Sequence, residues 1–139
     1  MIRYFDASAL AKRYVAEPGS EDVGQLLADG IPVTCRLSEV EIASALARRR
    51  REGALTAAAR DRLLASMHRD MASLYVVEVL PEVSALACRL LTRHQLRAGD
   101  ALHLASALML SGRSGITVQF VAYDRALNEA AVKEGFQLP

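Results

Sequence analysis

Short β-prone runs alternate with paired helical stretches along this chain, and that order restricts it to few folds. Ile2-Arg3-Tyr4-Phe5 suits a strand and ends at Asp6, which, like Ser8, can cap a following helix. Ala9 to Ala16 has helical composition, and Glu17-Pro18-Gly19-Ser20 reads as a turn. Ser20 then caps a second helix with Val23, Leu26 and Leu27 on one face, stopped near Gly30. Ile31 to Cys35 is the next strand, with Pro32 at its tolerant start. Ser38 and Glu41 have capping-box spacing, and Val40, Ala43, Leu46 and Ala47 follow at helical intervals through Arg48-Arg49-Arg50-Arg51 to Gly53. Thr56 opens a further helix whose apolar positions are Leu63, Leu64, Met67 and Met71. Tyr75 to Leu80 is a third strand, ended by Pro81. Helical spacing returns at Val83, Leu86, Ala87, Leu90 and Leu91 and breaks at Arg97-Ala98-Gly99. Asp100 heads Ala101 to Leu110, a helix apolar nearly all round and therefore buried. A turn over Gly112 to Gly115, a strand over Ile116 to Ala122 and a helix over Ala126 to Lys133 follow. Phe136-Gln137-Leu138 offers a short last strand.

This alternation predicts an α/β layer fold with a mainly parallel sheet of four or five strands covered on both faces. At 139 residues the chain is about one domain, spanning 1–139, with no linker, repeat or low-complexity tract. Apolar residues at 52% and charged residues at 24% are globular proportions, and a core of this size needs no covalent or metal staple. Cys35 and Cys88 are too few for a disulfide framework or a four-cysteine zinc site and read as small buried hydrophobes. The run Ala101 to Leu110 is too short for a bilayer, and Asp6 with Lys12-Arg13 interrupts any signal-peptide pattern at the N-terminus. The expectation is a cytoplasmic protein that does not engage a membrane.

In open parallel sheets ligands bind beyond the carboxyl ends of the strands. Asp6 and Asp124 each follow a strand immediately, and Glu41 lies in the first turn of the helix after the second strand. Asp100 follows a helix, so the pattern alone fixes its position less well. Each acid also has a plain structural role, as an N-cap or as a partner of a helix dipole. Together at one edge they require a counter-charge, since like charges disfavour one another's ionised form. Lysine is scarce and lies elsewhere, at Lys12 and Lys133, so a hard divalent cation suited to oxygen ligands, Mg²⁺ or Mn²⁺, is the natural partner. Such a centre can activate water against a phosphodiester without a histidine or serine nucleophile.

Competing signatures are absent from the sequence. It contains no GxxxxGK, no GxGxxG after the first strand and no GxSxG. His68, His94 and His103 have no mutual ligand spacing, and His103 on its apolar helix reads as a packed or hydrogen-bonded core residue. The net charge of +1 does not by itself announce a nucleic-acid binder. All but two of the 17 basic residues are Arg, whose planar fork matches phosphate; the cluster Arg48 to Arg51 is equally well explained as a solvated helix end.

The segments IRYFDASALAKRYVAEPGS, CRLSEVEIASALARRR, LRAGDALHLASAL and FVAYDRALNEAA, in this order over essentially the whole chain, resemble the PIN domain of VapC-type toxins. The opening DASAL and the segment GDALHLASAL carry the resemblance most specifically. It implies a three-layer α/β/α PIN sandwich and a Mg²⁺-dependent endoribonuclease toxin that leaves a 5′-phosphate and a 3′-hydroxyl. It also implies a VapB-like antitoxin as partner and a homodimer. By the same resemblance Asp6 and Asp100 match the acids associated with metal. Glu41, rather than Glu39, matches the family's helix glutamate, Asp124 matches a more variable acid, and Ser8 matches a hydroxyl that supports the site. Two other readings stay open on sequence: a non-enzymatic module whose acids dock an Arg of a partner, or which sequesters RNA, and a phosphatase or phosphotransferase on small substrates. The apolar helical stretches Val23 to Ala28 and Leu63 to Met71 suit a dimer face, an antitoxin groove or the core equally well.

Overall fold

A computed structural model describes the backbone of residues 1–139 and every side chain but that of Ser114. The element order is β1 (Ile2–Phe5), α1 (Ala7–Leu10), a 3-10 turn (Ala11–Arg13), α2 (Ser20–Ala28), β2 (Ile31–Cys35), α3 (Leu37–Arg51) and α4 (Ala57–Ser73). β3 (Tyr75–Val77), α5 (Pro81–Arg93), α6 (Ala98–Ser114), β4 (Val118–Val121) and α7 (Arg125–Lys133) complete it. The four strands form one parallel sheet in the order β3-β2-β1-β4. The chain therefore builds outward from β1 through β2 to β3, then returns to add β4 on the other side of β1. That reversal puts the switch point of the sheet between β1 and β4, where a crevice opens beyond the strand ends.

Period-two alternation divides the strand residues between two cores. Tyr4, Val33, Cys35, Val118 and Phe120 point to one face, where α5, α6 and α7 bring Val83, Leu90, Leu104 and Leu127 against them. Phe5 and Val121 point to the other, with Leu10, Val23, Ile42, Leu46, Met67 and Met71 from α1 to α4. The result is the three-layer α/β/α sandwich that the sequence implies. Tyr4 stacks on Phe120 with ring centroids 5.5 Å apart, and Phe136 closes the far side of Phe120.

Several local expectations are corrected. The capping box is not formed: Arg36 caps α3, and Ser38 lies inside the helix, fully buried. Its hydroxyl meets Thr34 Oγ1 at 2.6 Å, and Thr34 in turn donates to the Phe5 carbonyl at 2.7 Å. Gly19, not Ser20, caps α2. β3 ends at Val77 because β2 offers no partner beyond Cys35, and β4 is trimmed to the four residues that pair with β1. The last segment contributes one parallel bridge, Gln119 to Gln137, rather than a strand. Helix α6 starts at Ala98 and absorbs Gly99 and Gly112, which the sequence reads as breaks; burial along its length offsets roughly 1 kcal/mol per helical glycine. It stops at Gly115, whose φ of 60° supplies the left-handed terminator. Cys88 is exposed, one step round α5 from the buried Ala87, whereas Cys35 is buried as expected.

Candidate active site

Asp6 stands where β1 ends at the switch point, its amide continuing the ladder to the Val121 carbonyl at 3.1 Å. It is 3% exposed, and its carboxylate caps α1 by accepting from the Ala9 amide at 2.9 Å. The Ser8 hydroxyl lies 2.8 Å from both carboxylate oxygens and accepts from the Tyr123 amide at 3.0 Å. Ser8 thus ties the end of β1 to the segment after β4. Burial raises the Asp6 carboxyl above its ordinary range, against the opposing pull of the His103 charge and the hydrogen bonds from Ala9 and Ser8.

Asp124 caps α7, its Oδ1 accepting from the Leu127 amide at 2.8 Å. Its Oδ2 lies 3.7 Å from Arg97, which also pairs with Asp100 at 3.2 Å. One guanidinium therefore joins the acid after β4 to the acid in the first turn of α6. Next to Asp100, Gly99 faces Glu41: a Cβ there would meet Glu41 Oε1 at 3.5 Å. Glu41 Oε1 accepts from His103 Nε2 at 2.8 Å, and the ring's Nδ1 lies 2.9 Å from the Tyr4 hydroxyl and 3.5 Å from Cys35 Sγ. Burial opposes a charge on this ring. The bonds to Cys35 and Glu41 and the field of Asp6 outweigh it and push its pKa up to about 10.

Ser8 thus ties Asp6 to the segment that carries Asp124, Arg97 joins Asp124 to Asp100, and Gly99 beside Asp100 faces the Glu41 carboxylate held by His103. His103 is the hydrogen-bonded core residue expected, with the added property that its far nitrogen holds Glu41. Neither Arg97 nor His103 stands out in the sequence as part of this edge. The signal lies in their spacing, three residues before and three residues after Asp100. Lys12 is corrected as well: with Ser8, Glu41, Arg48 and Arg49 it lines a cavity beside the acids instead of lying elsewhere. Arg50 and Arg51 are exposed and do not line it.

The donors at this edge are carboxylate and hydroxyl oxygens, the chemistry that a hard cation prefers. Among the described residues, no group of three or more His, Cys, Asp and Glu side chains forms a ready metal cage. Mg²⁺ characteristically needs only one or two protein carboxylates, with water and substrate phosphate completing its shell, so this donor set fits it. Arg97, 81% exposed on its side chain, holds Asp100 and Asp124 by surface pairs of the weak, exchangeable kind.

A parallel α/β/α sandwich with acids near its switch point defines a class of α/β proteins, and comparison with known proteins narrows it to one family. A model of the PIN domain matches residues 3–133, and the chain belongs to the PIN-domain family. Ribonuclease VapC45 of Mycobacterium tuberculosis (strain CDC 1551 / Oshkosh) is 36% identical over 138 residues, covering 95% of this chain and 90% of the relative. Ribonuclease VapC49 of strain ATCC 25618 / H37Rv matches with the same identity and coverage. Among solved structures, M. tuberculosis VapC20, described as a sarcin-ricin loop cleaving toxin, aligns with a TM-score of 0.68 at 19% identity, covering 96% of this chain and 95% of the other. FitAcB from Neisseria gonorrhoeae aligns with a TM-score of 0.71 at 14% identity, covering 99% and 97%. These two similarities bear on the fold alone. Among the described residues no helix is long and apolar enough to cross a membrane.

Proposed function

We propose that this protein is a Mg²⁺-dependent endoribonuclease, the toxin of a VapBC-like toxin–antitoxin pair. The observation that carries the reading is the linkage of Asp6 to the Asp124 segment through Ser8 and of Asp124 to Asp100 through Arg97, with Gly99 facing Glu41. The ribonuclease names of the two relatives at 36% identity support the choice of reaction.

In this reading Asp6 and Asp100 hold the Mg²⁺, with Mn²⁺ able to use the same oxygens. Bound there, the cation supplies Lewis-acid stabilisation of the phosphodiester and a more acidic water. The chain's own residues do the rest. Ser8 and the Ala9 amide fix the direction of the Asp6 carboxylate. His103 occupies Glu41 Oε1, which leaves Oε2 to orient the attacking water and accept its proton. Asp124, anchored to the α7 amides through Oδ1, completes the negative edge with Oδ2.

RNA is the substrate, a VapB-like antitoxin the partner that silences the site, a homodimer the working form, and the cytoplasm the place of action. The test is cleavage of end-labelled tRNA and ribosomal RNA by purified wild type and Asp6→Asn, each with Mg²⁺ or with EDTA. Discrete cuts by the wild type with Mg²⁺ alone are expected. No cutting by folded, antitoxin-free protein under any condition overturns the reading.

A further inference from the structure

Beside the acidic edge a cavity of about 450 Å³ opens between α1, the turn at residues 17–20 and the second half of α3. Its size falls in the range of roughly 300–1,000 Å³ typical of small-ligand sites. Ser8 and Glu41 belong to its wall, so it is continuous with the site described above. Three cations face it: Lys12, Arg48 and Arg49. Glu17 bridges two of them, with Oε1 3.2 Å from Lys12 Nζ and Oε2 3.1 Å from Arg49. Arg48 has no ion-pair partner among the described residues. The Lys12 ammonium also lies 4.4 Å from the centre of the Tyr123 ring.

The turn that presents Glu17 is built rather than slack. Ser20 Oγ accepts from the Glu17 amide at 3.0 Å and donates to the Val15 carbonyl at 3.1 Å. Gly19 has φ +91°, and a Cβ there would fall 2.7 Å from the Tyr123 ring. Only glycine lets the turn and the ring meet, which fixes a carboxylate and an aromatic ring around one lysine.

We propose that this cavity receives the nucleotide next to the scissile phosphodiester, and that Glu17 holds, in the free protein, the place its phosphate takes on Lys12 and Arg49. The identity of the strand rests on the nuclease reading above. A carboxylate spanning a lysine and an arginine is a local mimic of phosphate, since Arg pairs with either through the same fork of donors. With Lys12 drawn to the phosphate, the face of Tyr123 is left to stack a base, which an acidic peptide would not use. Glu17 thus weakens RNA binding by competing inside the subsite, and its removal strengthens it.

The test measures binding without turnover. A fluorescein-labelled single-stranded RNA of about ten nucleotides, within the usual single-strand site sizes, is titrated with full-length protein in EDTA, with anisotropy as the readout. Glu17→Gln tightens binding by about 3–10-fold at low salt, and the gain shrinks as salt screens the cations. Lys12→Met and Arg49→Met weaken it, each lowering the slope of log affinity against log salt by about 0.7. Tyr123→Ala weakens binding by at least about 5-fold through lost stacking. Arg113→Met removes the same charge far from the cavity and is the control, expected to stay within about twofold as an exposed charge. If Glu17→Gln and Arg49→Met change affinity no more than Arg113→Met, the proposal is wrong. If an oligoglutamate peptide displaces the RNA while Tyr123→Ala binds normally, the cavity takes acidic peptides and the nucleotide assignment fails. Circular dichroism checks each fold; should Lys12→Met or Arg49→Met not fold, Glu17→Gln and Tyr123→Ala decide. A protein that binds RNA here and never cuts it loses the nuclease reading alone. One that cuts RNA with Glu17→Gln unchanged in binding loses this inference alone.

Discussion

Replacing His103 by Gln removes a positive charge buried beneath the acids while leaving an amide that can still donate to Glu41. The ring is 1% exposed and bonded at both nitrogens, and its pKa rises from 6.5 to about 10. The folded value lies above the unfolded one. Its contribution to stability is therefore complete below about pH 6.5 and is lost as pH rises through about 10. At ~1.4 kcal/mol for each tenfold change in proton affinity, the upper limit is about 5 kcal/mol. Glu41 is 39% exposed, so water screens its share, and the Cys35 thiol, whose pKa the ring lowers, gives back stability as pH rises, so a net loss of about 1–2 kcal/mol across that window is expected. The assay is urea unfolding followed by circular dichroism, from about pH 6 to about pH 10, on wild type and His103→Gln. The wild type should lose this amount relative to the variant as pH rises, because the variant has no ring to titrate. Stability curves that stay parallel over the whole range would show that the ring is neutral in the fold, and the electrostatic account of the edge would be refuted.

Asp6→Asn removes a carboxylate that burial already disfavours, so the metal-free protein should melt about 2–4 °C higher at neutral pH while its Mg²⁺-induced rise shrinks; equal Mg²⁺ shifts in both proteins contradict a ligand role for Asp6. Arg97→Ala should leave the metal-free melting temperature nearly unchanged and lower the Mg²⁺ concentration at half-maximal thermal shift by a few-fold, since one competing cation is gone; an unchanged Mg²⁺ midpoint counts against competition. Thr34→Val strands the buried Ser38 hydroxyl and should cost about 1–3 kcal/mol in urea unfolding. Adding Ser38→Ala should then cost less than it does alone, whereas full additivity would mean the two hydroxyls do not interact. Gly19→Ala should destabilise by at least about 1–2 kcal/mol, because the residue must take a left-handed backbone against the Tyr123 ring; a negligible loss in the same assay would show the turn free of that ring.

Much of this fold is legible because strands and helices announce themselves through local spacing. β1 and β2 occupy the residues their apolar runs suggest, Ile2–Phe5 and Ile31–Cys35. β3 and β4 do not, because a strand is only as long as its ladder: pairing with β2 runs no further than Val77, and pairing with β1 begins at Val118. Ser38 fails as a cap for a non-local reason too: its hydroxyl is claimed by Thr34, which reaches across to β1. The positions of Asp6 and Asp124 follow from chain order alone, since each is the residue or turn after a parallel strand. The position of Asp100 needs the path of α6, which begins a turn earlier than the run Ala101 to Leu110 suggests. The Arg48 to Arg51 cluster is a similar case. Helical phase divides it, but which side matters depends on where the turn carrying Glu17 lands, 32 residues earlier in sequence from its partner Arg49.

The two counter-charges at the edge differ in a way that assigns them different work. Arg97 lies in solvent and reaches Asp100 and Asp124 from outside, so its pairs exchange readily with another cation or an incoming guanidinium. His103 reaches Glu41 from inside the core, braced behind by Tyr4 and Cys35, and no solute can displace it without opening the packing of α6. The Asp100 and Asp124 side is therefore free to rearrange toward a cation, whereas Glu41 is held in place by His103. That asymmetry suits the proposed chemistry, which needs acids free to take up a cation and one carboxylate whose direction does not change when they do. It also accounts for a histidine deep in an apolar helix. A leucine at position 103 would fill the same buried space, but it would take a partner from the buried Tyr4 hydroxyl and leave Glu41 without the donor that orients it.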